Sequence, residues 1–382
     1  MYLNFGGEEV VLVSADVLGI PAPMRERIER GIRKRVGVKP NRVVVSSTHT
    51  RSGPDLVGNF SREDPALVED FVRRVVGAVE AASKHVFEAE AFSAAKGQCS
   101  EVVVNRRNVE KGPVDPDVNV LTFFSGDSGF SILNFACHAV VMGHNNLYIS
   151  RDYPGAFVDY FEEYTGNLAM FFNGACGNIN PLTPNTDLSR VYDRSVGTFE
   201  EVEWMGDVLA HEASRALLLS RREPIKEFAF KSGLVELELQ ELPSLAELEE
   251  KLKEVERLVE GKKTPETLYE LYKAKTSIYR LKMLGEGARS HRVRIAALRV
   301  NDAAMVFLPT ELFVEIGLSI KEKSPFGLTA VAGYSNDYFG YVPIAEAYRE
   351  GGYEATFPVT VLREGQAEKL VDEAVKLLND LE

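Results

Sequence analysis

Polar residues follow several predicted strands of this sequence, at the points where the strands end. His49 comes directly after a β-branched run, and His138 and Glu311 each follow an apolar run that is typical of a buried strand. In open α/β sheets the ligand site lies outside the carboxyl ends of the strands, so residues far apart in sequence can meet there. Two histidines and one carboxylate form a common catalytic zinc set with a position left for water. The pattern therefore predicts a zinc site formed by His49, His138 and Glu311.

Further polar residues occupy equivalent positions in the sequence. Asn336, Tyr338 and Tyr341 follow another predicted strand, Asp16 follows the first one, and residues 172–181 read FNGACGNINP. A single histidine after a strand is more often a hydrogen-bonded core or loop residue, so the metal prediction depends on the combination. The other histidines lie in helical or flanking segments and are interpreted as structural, with the last of them left open as a loop residue or a support of the site: His85, His211, His291 and His144.

The elements that position these residues are predicted from apolar periodicity. Strands at 10–14 and 42–47 alternate with helices at 24–36 and 65–83. Further strands are predicted at 118–124, 130–137, 168–173, 293–300, 303–308 and 328–333, and further helices at 154–164, 202–221, 311–323 and 364–381. This alternation predicts an α/β fold with a mixed, largely parallel β-sheet core flanked by helices, in a single domain that spans residues 1–382.

One segment, residues 244–285, has a different character. Ser244 and Glu247 have the spacing of a capping box, and leucines follow at steps of three and four residues. After a GKK turn, Thr264 and Pro265 suit the N-cap and first position of a second helix. The segment is predicted to be a helical hairpin inserted between strands. It could be a packed surface hairpin, an arm that forms a homodimer, or a lid over the active site.

Composition narrows the class of protein. The chain has 382 residues and a net charge of −13, which disfavours nucleic acid as a partner because both would be negative. Three cysteines cannot build a disulfide framework. The chain lacks the pattern of a signal peptide and any apolar run near the ~20 residues that a membrane span requires. A cytoplasmic protein without an integral membrane segment is expected.

Seven short segments of the sequence resemble, in the same order, the hallmark segments of neutral, non-lysosomal ceramidases. They extend from residue 46 to about residue 356 and read STHTRSGPD, NRRN, NFACHAVVMG, ISRDYPGAF, GNINP, LPTELF and GYSNDYFGYVPIAEAYREGGYEA. The resemblance implies the ceramidase catalytic domain and hydrolysis of a linear amide bond.

The resemblance also implies a fourth zinc ligand and a substrate-binding arginine. Tyr338 joins His49, His138 and Glu311 as a ligand, with Tyr341 as the alternative if the register is shifted. Tyrosine is a rare ligand because its pKa near ~10 must fall, which a metal ion can achieve. The arginine of the second segment is Arg106, which could bind a carboxylate, a carbonyl or an oxyanion. Alternatively, it could only pair with an aspartate at position 115 or 117.

The departures from the ceramidase pattern change the predicted mechanism. Asn180 replaces the serine to which the family assigns catalysis, and Arg51 replaces a histidine. The family's secretory signal, opening strand and C-terminal immunoglobulin-like domain have no counterpart in this sequence. Without the serine, metal-activated water is the expected nucleophile. Asn180, Tyr341 and the backbone N–H groups around Gly177 are the candidate oxyanion donors. Asp152 or Asp16 is the candidate general base or support of the site. Arg51, Asn336 and Gly177 are the candidate substrate contacts.

Two alternatives stay open at this stage. Cys176 could be the nucleophile of an amidase, if a neighbouring zinc or histidine lowered its pKa. The zinc could also be purely structural in a protein that binds a ligand without hydrolysing it. The expected substrate is a small amide or ester, such as an N-acylated amine or amino acid, because no interfacial helix is evident.

Overall fold

The computed structural model describes residues 1–57 and 64–382. The strands in this part of the chain are β1 (Tyr2–Phe5), β2 (Glu8–Ala15), β3 (Val43–Ser47), β4 (Ala91–Gln98), β5 (Val103–Asn105), β6 (Asp117–Ser125), β7 (Ser128–Phe135), β8 (Leu168–Asn173), β9 (Ile179–Pro181), β10 (Phe228–Glu238), β11 (Ser290–Val300), β12 (Ala303–Phe307), β13 (Glu311–Leu312), β14 (Leu328–Ala332) and β15 (Tyr341–Val342). The helices are α1 (Ala22–Arg35), α2 (Pro65–Lys84), α3 (Asp152–Thr165), α4 (Phe199–Leu219), α5 (Leu245–Gly261), α6 (Pro265–Leu284), α7 (Val314–Lys323), α8 (Ala345–Glu350) and α9 (Gln366–Asn379).

The strands form three main sheets and two short pairs. The main sheets have the orders β1-β2-β3, β4-β6-β7-β8 and β10-β11-β12-β14, and the short pairs are β5-β9 and β13-β15. Pairing is mixed: β2 and β3, β7 and β8, β12 and β14, and β13 and β15 run parallel. The α/β class and the mixed sheets are confirmed. Among the described strand pairs, six are antiparallel and four are parallel. Three of the antiparallel pairs, β1 with β2, β6 with β7 and β11 with β12, are joined by tight turns.

The sheets meet across a common apolar layer and carry helices on their outer faces. Leu12, Phe172 and Phe307 come from the three main sheets and pack in one buried cluster. Apolar residues of α3 and α4 cover the outer face of the β4-β6-β7-β8 sheet. Residues of α7 and α9 do the same for the sheet that contains β10 and β12, and α1 and α2 cover β2 and β3. Each sheet is therefore held rigidly between two layers, and the strand ends are fixed relative to one another.

The segment predicted as a helical hairpin forms α5 and α6, inserted between β10 and β11, which pair along their full length. Ser244 and Glu247 form the capping box of α5. Thr264 caps α6, with Pro265 in its first turn. Unlike α5, α6 carries several buried polar side chains, including Thr276 and Arg280. A helix that buries polar groups has a partner other than an apolar core.

Most predicted elements occur within a few residues of their expected bounds, including β8 at 168–173. The sequence prediction missed the short elements β1, β5, β9, β13, β15 and α8, and two longer strands, β4 and β10. The residues of β4 read AFSAAKGQ, which are mostly small, and β10 contains a glycine and three charged residues. Pairing with β6 and β11 holds these segments extended, so tertiary contacts outweigh their weak propensity. None of the described helices is long and apolar enough to cross a membrane.

Candidate metal centre and active-site cavity

Three parallel strand pairs bring the predicted metal ligands together. His49 follows β3, His138 follows β7, and Glu311 begins β13 shortly after β12. The loop after β14 lies beside them, since Ser335 forms an isolated bridge with Ser46 at the end of β3. His49, His138 and Glu311 are buried, and each presents a ligand atom within 4.8 Å of the other two. The tertiary structure therefore assembles the triad that the strand ends predicted.

The ring orientations of both histidines are fixed by backbone carbonyl groups. His49 Nδ1 donates to the carbonyl oxygen of Leu18 at 2.7 Å. His138 Nδ1 donates to the carbonyl oxygens of Cys176 at 2.7 Å and Ile179 at 3.0 Å. With the proton held on Nδ1, each Nε2 is left with a lone pair. This arrangement is how metal-binding histidines are commonly oriented.

The two lone pairs converge on one carboxylate oxygen. Glu311 Oε2 lies 3.2 Å from His49 Nε2 and 3.1 Å from His138 Nε2. His49 Nε2 is buried and has no hydrogen-bond partner. Three acceptor atoms facing one another in a buried site require a proton or a cation between them, because unpaired polar atoms away from water are costly. Two nitrogens and one oxygen at this spacing could hold a metal ion.

The electrostatics of the triad favour metal binding. Burial, reinforced by the charge of Arg106, lowers the pKa of His138 to about 3, so this imidazole is neutral at physiological pH. Burial alone would raise the pKa of the Glu311 carboxyl, but His49 and His138 outweigh it and hold this pKa well below its usual range. The site thus offers a neutral imidazole and a carboxylate, the protonation states that a metal requires.

Two tyrosine hydroxyls complete the cluster. Tyr338 donates to Glu311 Oε1 at 2.8 Å, and Tyr341 Oη lies 3.3 Å from His138 Nε2. Burial, together with the charge of Glu311, holds the pKa of Tyr338 well above its ordinary value. Tyr338 is thus a phenol in the absence of a cation. Its ring packs on Gly19, where a Cβ atom would lie 2.6 Å from ring Cδ1, so only glycine fits.

Arg106 is buried and all of its side-chain nitrogens are engaged. Its Nε donates to Glu354 at 2.8 Å and its Nη1 to Asn180 Oδ1 at 3.1 Å. Its Nη2 donates to the carbonyl oxygen of Gly177 at 2.8 Å and to Tyr341 Oη at 3.0 Å. The alternative that Arg106 pairs with an aspartate after β5 is wrong, because both aspartates there bind Lys321. Arg106 therefore orients the Tyr341 hydroxyl.

Left-handed backbone conformations cluster at this site. A non-glycine residue with positive φ is uncommon, and each costs of the order of 1–3 kcal/mol. Neighbouring loops hold them: Thr310 N donates to the carbonyl of Asp337 at 3.1 Å, and Phe339 N donates to Thr310 Oγ1 at 3.1 Å. Strained backbone of this kind concentrates at functional sites. The residues and their φ angles are His49 (65°), Thr310 (57°), Tyr334 (53°) and Asn336 (67°).

A small cavity of about 20 Å³ adjoins the triad. Its floor is Glu311, Tyr338 and Tyr341, and one wall consists of residues from α6, namely Tyr272, Thr276 and Arg280. A cavity of this volume holds roughly one water molecule. Arg51, which is exposed to solvent, also lines it. The inserted hairpin thus covers the metal centre.

The remaining predicted residues lie around the triad with contacts of other kinds. Asp152 accepts backbone N–H groups of Val141 at 3.1 Å and Met142 at 3.0 Å, which fixes the segment after His138. Burial raises its pKa, although these N–H groups act in the opposite sense. Asp16 accepts from Thr48 beside His49 at 3.1 Å. Both carboxylates support the loops that carry the histidines.

The segment that contains Asn180 is bound to the protein. Gly177 N donates to the carbonyl oxygen of Leu312 at 2.6 Å, so this N–H is already satisfied. Asn180 Nδ2 donates to the carbonyl oxygen of Val191 at 2.9 Å. Asn336 Oδ1 accepts from Val45 N at 3.1 Å, while its Nδ2 is buried without a partner. These contacts hold the strand ends in register, and the catalytic and binding roles of these residues stay predictions.

Cys176 lies next to the centre but is not activated. Its sulfur lies 3.1 Å from Tyr334 Oη and 3.4 Å from Asn173 Oδ1. Burial raises the pKa of the thiol to about 12. A buried thiol with this pKa does not supply a thiolate at neutral pH, which argues against a cysteine nucleophile.

Sequence reasoning did not identify four residues of the site. Thr276 and Arg280 belong to a hairpin more than twenty-five residues from any of the seven segments, and their charge and polarity are ordinary for a surface helix. Glu354, which binds Arg106, lies at the end of the last resemblance segment and could have been noted there. Tyr334, which stacks on His49 with ring centroids 4.2 Å apart, lies in the same segment as Tyr338.

Comparisons with known proteins give the fold. No protein-family model matches the sequence, and no curated protein matches it. Among solved structures, a neutral ceramidase from Pseudomonas aeruginosa superimposes with a TM-score of 0.71 at 19% identity, covering 98% of this chain and 67% of that one. A ceramidase complexed with C2 gives a TM-score of 0.74 at 17% identity, covering 100% of this chain and 69% of the other. The ceramidase resemblance of the sequence is confirmed in three dimensions, and this chain has the fold of neutral ceramidases.

Proposed function

We propose that this chain is a zinc-dependent hydrolase that cleaves the amide bond of a small linear substrate. The observation that carries the proposal is the convergence of two buried Nε2 atoms on Glu311 Oε2, with both Nδ1 protons held by carbonyl oxygens. The ceramidase fold supports the same reading, since ceramidases hydrolyse an amide. An ester is the alternative substrate, because it presents the same carbonyl group.

His49, His138 and Glu311 would hold the zinc ion, with Tyr338 as the fourth ligand. When bound, zinc supplies a Lewis acid that polarises a carbonyl oxygen and lowers the pKa of water. Tyr338 already donates a hydrogen bond to Glu311, so its oxygen lies at the cluster, where a bound cation would lower its pKa and its proton would pass to solvent. Asn180 cannot be a hydroxyl nucleophile, so water is the proposed nucleophile.

Tyr341 would stabilise the negative charge that develops on the substrate carbonyl oxygen. Its hydroxyl is buried beside His138 at the floor of the cavity and accepts a hydrogen bond from Arg106. Because the Tyr341 oxygen accepts from Arg106, its own O–H proton is free to point towards the cavity. Donors that are oriented before the reaction contribute most to this kind of catalysis.

Arg106 would act through Tyr341 as a positioning residue. Its nitrogens also donate to Glu354, Asn180 and Gly177, and these hydrogen bonds hold the guanidinium group in place beside Tyr341. Asn180 is proposed to orient Arg106, because its amide oxygen accepts a hydrogen bond from the guanidinium group. Asp152 and Asp16 are proposed to support the histidine loops, with the role of general base as the alternative for either.

The test is metal content and turnover in matched histidine variants. Purified protein is expected to retain zinc and to hydrolyse members of a panel of N-acyl amides and esters. His49→Ala and His138→Ala should lose both properties, because each removes a ligand. His85→Ala is the control, since His85 is exposed at the end of α2. Full zinc retention and turnover in either ligand variant would defeat the proposal.

A structural zinc site without catalysis is the competing function, and one observation favours it. The cavity beside the triad is only about 20 Å³, which leaves little room for a substrate. If the protein binds zinc tightly but hydrolyses nothing in the panel, the metal serves to fix the strand ends.

A homodimer formed through the hairpin is also proposed, since Leu258, Leu268 and Tyr269 are exposed on α5 and α6. Light scattering tests it.

A further inference from the structure

Two polar atoms of the α6 residues that line the cavity have no hydrogen-bond partner among the residues that the structure describes. Thr276 Oγ1 and Arg280 Nε are buried and lack hydrogen-bond partners. The two residues are four positions apart on α6, so they lie on the same face, and both line the cavity beside Glu311. Buried polar groups are normally paired, and a pair of orphan donors on one wall points to a ligand that is bound there.

Another nitrogen of Arg280 is bound to a residue of the candidate metal centre. Its Nη1 donates to the carbonyl oxygen of Tyr338 at 3.0 Å, and its guanidinium lies over the Tyr338 ring, 5.1 Å from the centroid. This contact holds the guanidinium in place while Nε remains unpaired. The donor is therefore positioned before a ligand arrives, which lowers the entropic cost of binding.

Arg51 adds a second positive charge at the mouth of the cavity. Its Nη2 lies 3.5 Å from Tyr341 Oη, at the limit of a hydrogen bond. The acidic groups that act most on it are tyrosines and Glu311, and Glu311 is committed to the metal centre. With a dication bound by the triad, the cavity combines two guanidinium groups with a neutralised carboxylate. Its net charge is positive, although the whole chain carries −13.

We infer that the cavity binds a substrate whose scissile amide adjoins a carboxylate, as in an N-acyl amino acid, and that Arg51, Thr276 and Arg280 hold the carboxylate. The inference rests on the proposed function, because the bond next to the carboxylate is the amide that the protein is proposed to hydrolyse. A carboxylate matches the fork of a guanidinium group and accepts from a hydroxyl at the same time. The small size of the cavity implies that α6 shifts outwards when the substrate enters, which gives the hairpin the role of a lid.

The experiment compares substrates that differ only in the charge of one end. N-Acylglycines with acetyl, butanoyl and octanoyl groups are paired with the matching N-acylglycinamides, and amine release by the zinc-loaded protein is measured. We expect kcat/KM for the glycine compounds to exceed that for the glycinamides by about tenfold or more, the effect of one charge-assisted hydrogen bond. Equal rates, or a preference for the glycinamides, would overturn the inference while leaving the hydrolase proposal intact.

Variants assign the preference to these residues. Arg51→Gln and Thr276→Val should each reduce the ratio of the two kcat/KM values, whereas Arg30→Gln and Ser277→Ala should not change it. Arg30 is exposed on α1, and the Ser277 hydroxyl already donates to the carbonyl oxygen of Lys273. Thr276→Val should also leave the unfolding midpoint of the ligand-free protein unchanged or higher, because its hydroxyl has no partner there. An unchanged ratio in both Arg51→Gln and Thr276→Val would refute the assignment.

Binding to the metal-free protein separates this inference from the proposed function. Isothermal titration measures N-octanoylglycine, N-octanoylglycinamide and n-octyl phosphate, none of which can then be hydrolysed by the metal centre. Tighter binding of the glycine compound supports the carboxylate site even if the zinc-loaded protein shows no turnover. Tighter binding of the phosphate, or no difference between the glycine compound and its amide, would overturn the inference.

Discussion

The buried ion pair between Arg106 and Glu354 gives the sharpest prediction, because it supports both the fold and the proposed catalytic tyrosine. Glu354 is completely buried and accepts from Arg106 Nε at 2.8 Å, Arg107 Nη1 at 3.0 Å and Tyr192 Oη at 3.0 Å. The variant Glu354→Gln keeps the shape and one acceptor oxygen but removes the charge. Arg106 is then a buried cation without a counter-ion, in a site where the orientation of Tyr341 depends on it.

The expected loss is about 3 kcal/mol in the free energy of unfolding. Removing one partner of a buried pair costs about 3–5 kcal/mol, and the retained amide oxygen places this variant at the lower end. Urea denaturation followed by circular dichroism measures it. Glu350→Gln is the matched control, since Glu350 pairs with Arg107 at 3.0 Å but its side chain is 66% exposed. An exposed pair contributes at most about 1 kcal/mol, so the control should be nearly as stable as the wild type.

The pH dependence of this loss follows from the pKa of Glu354. Burial would raise this pKa, but Arg106 outweighs it and the pKa is lowered in the folded protein. A carboxyl with a lowered folded pKa stabilises the protein above its unfolded pKa of ~4.3, and the contribution is lost as the pH falls through the folded value. The difference between wild type and Glu354→Gln should therefore be constant near neutrality and shrink in acid.

Turnover provides the second measurement on the same variant. If Arg106 positions Tyr341, Glu354→Gln should reduce kcat by about 10²-fold, the typical effect of a small misplacement, while zinc content is unchanged. The reasoning is refuted if Glu354→Gln is as stable as Glu350→Gln at neutral pH. If the variant is destabilised but its kcat is normal, the ion pair has a structural role only and Arg106 does not position Tyr341.

Two further substitutions test the packing and the nucleophile. Cys176→Ser should retain turnover within a few-fold, because the thiol's pKa of about 12 leaves it protonated; loss of activity with normal folding would restore the cysteine mechanism. Gly206→Ala should lower the free energy of unfolding by about 1–3 kcal/mol, since its Cβ would lie 2.7 Å from the backbone nitrogen of Phe157 where α4 crosses α3. Gly77→Ala on α2, where nothing lies within 4 Å of the new Cβ, should instead stabilise the protein by up to ~1 kcal/mol, and thermal unfolding of the two variants measures the contrast.

The sequence by itself determined the types and order of most elements around the centre. Periodicity located β3, β7 and β12, and the residues that follow them supplied His49, His138 and Glu311. These predictions succeed because a buried strand has a local signature, and because a residue just after a parallel strand must lie at the edge of the sheet. Resemblance then added Arg106 and Tyr338, whose side chains the structure places beside the triad.

Only the tertiary structure decided which side chains complete the cavity. Thr276 and Arg280 have no local signal, because an arginine on a polar helix looks the same whether it faces solvent or a metal centre. The partner of Arg106 could not be predicted from the sequence either. Whether it pairs with a nearby aspartate or with the distant Glu354 depends on how β5 and the segment after α8 pack. Local patterns fix where a strand ends. Contacts between distant segments fix what that end meets, and the polarity of this cavity is a property of those contacts.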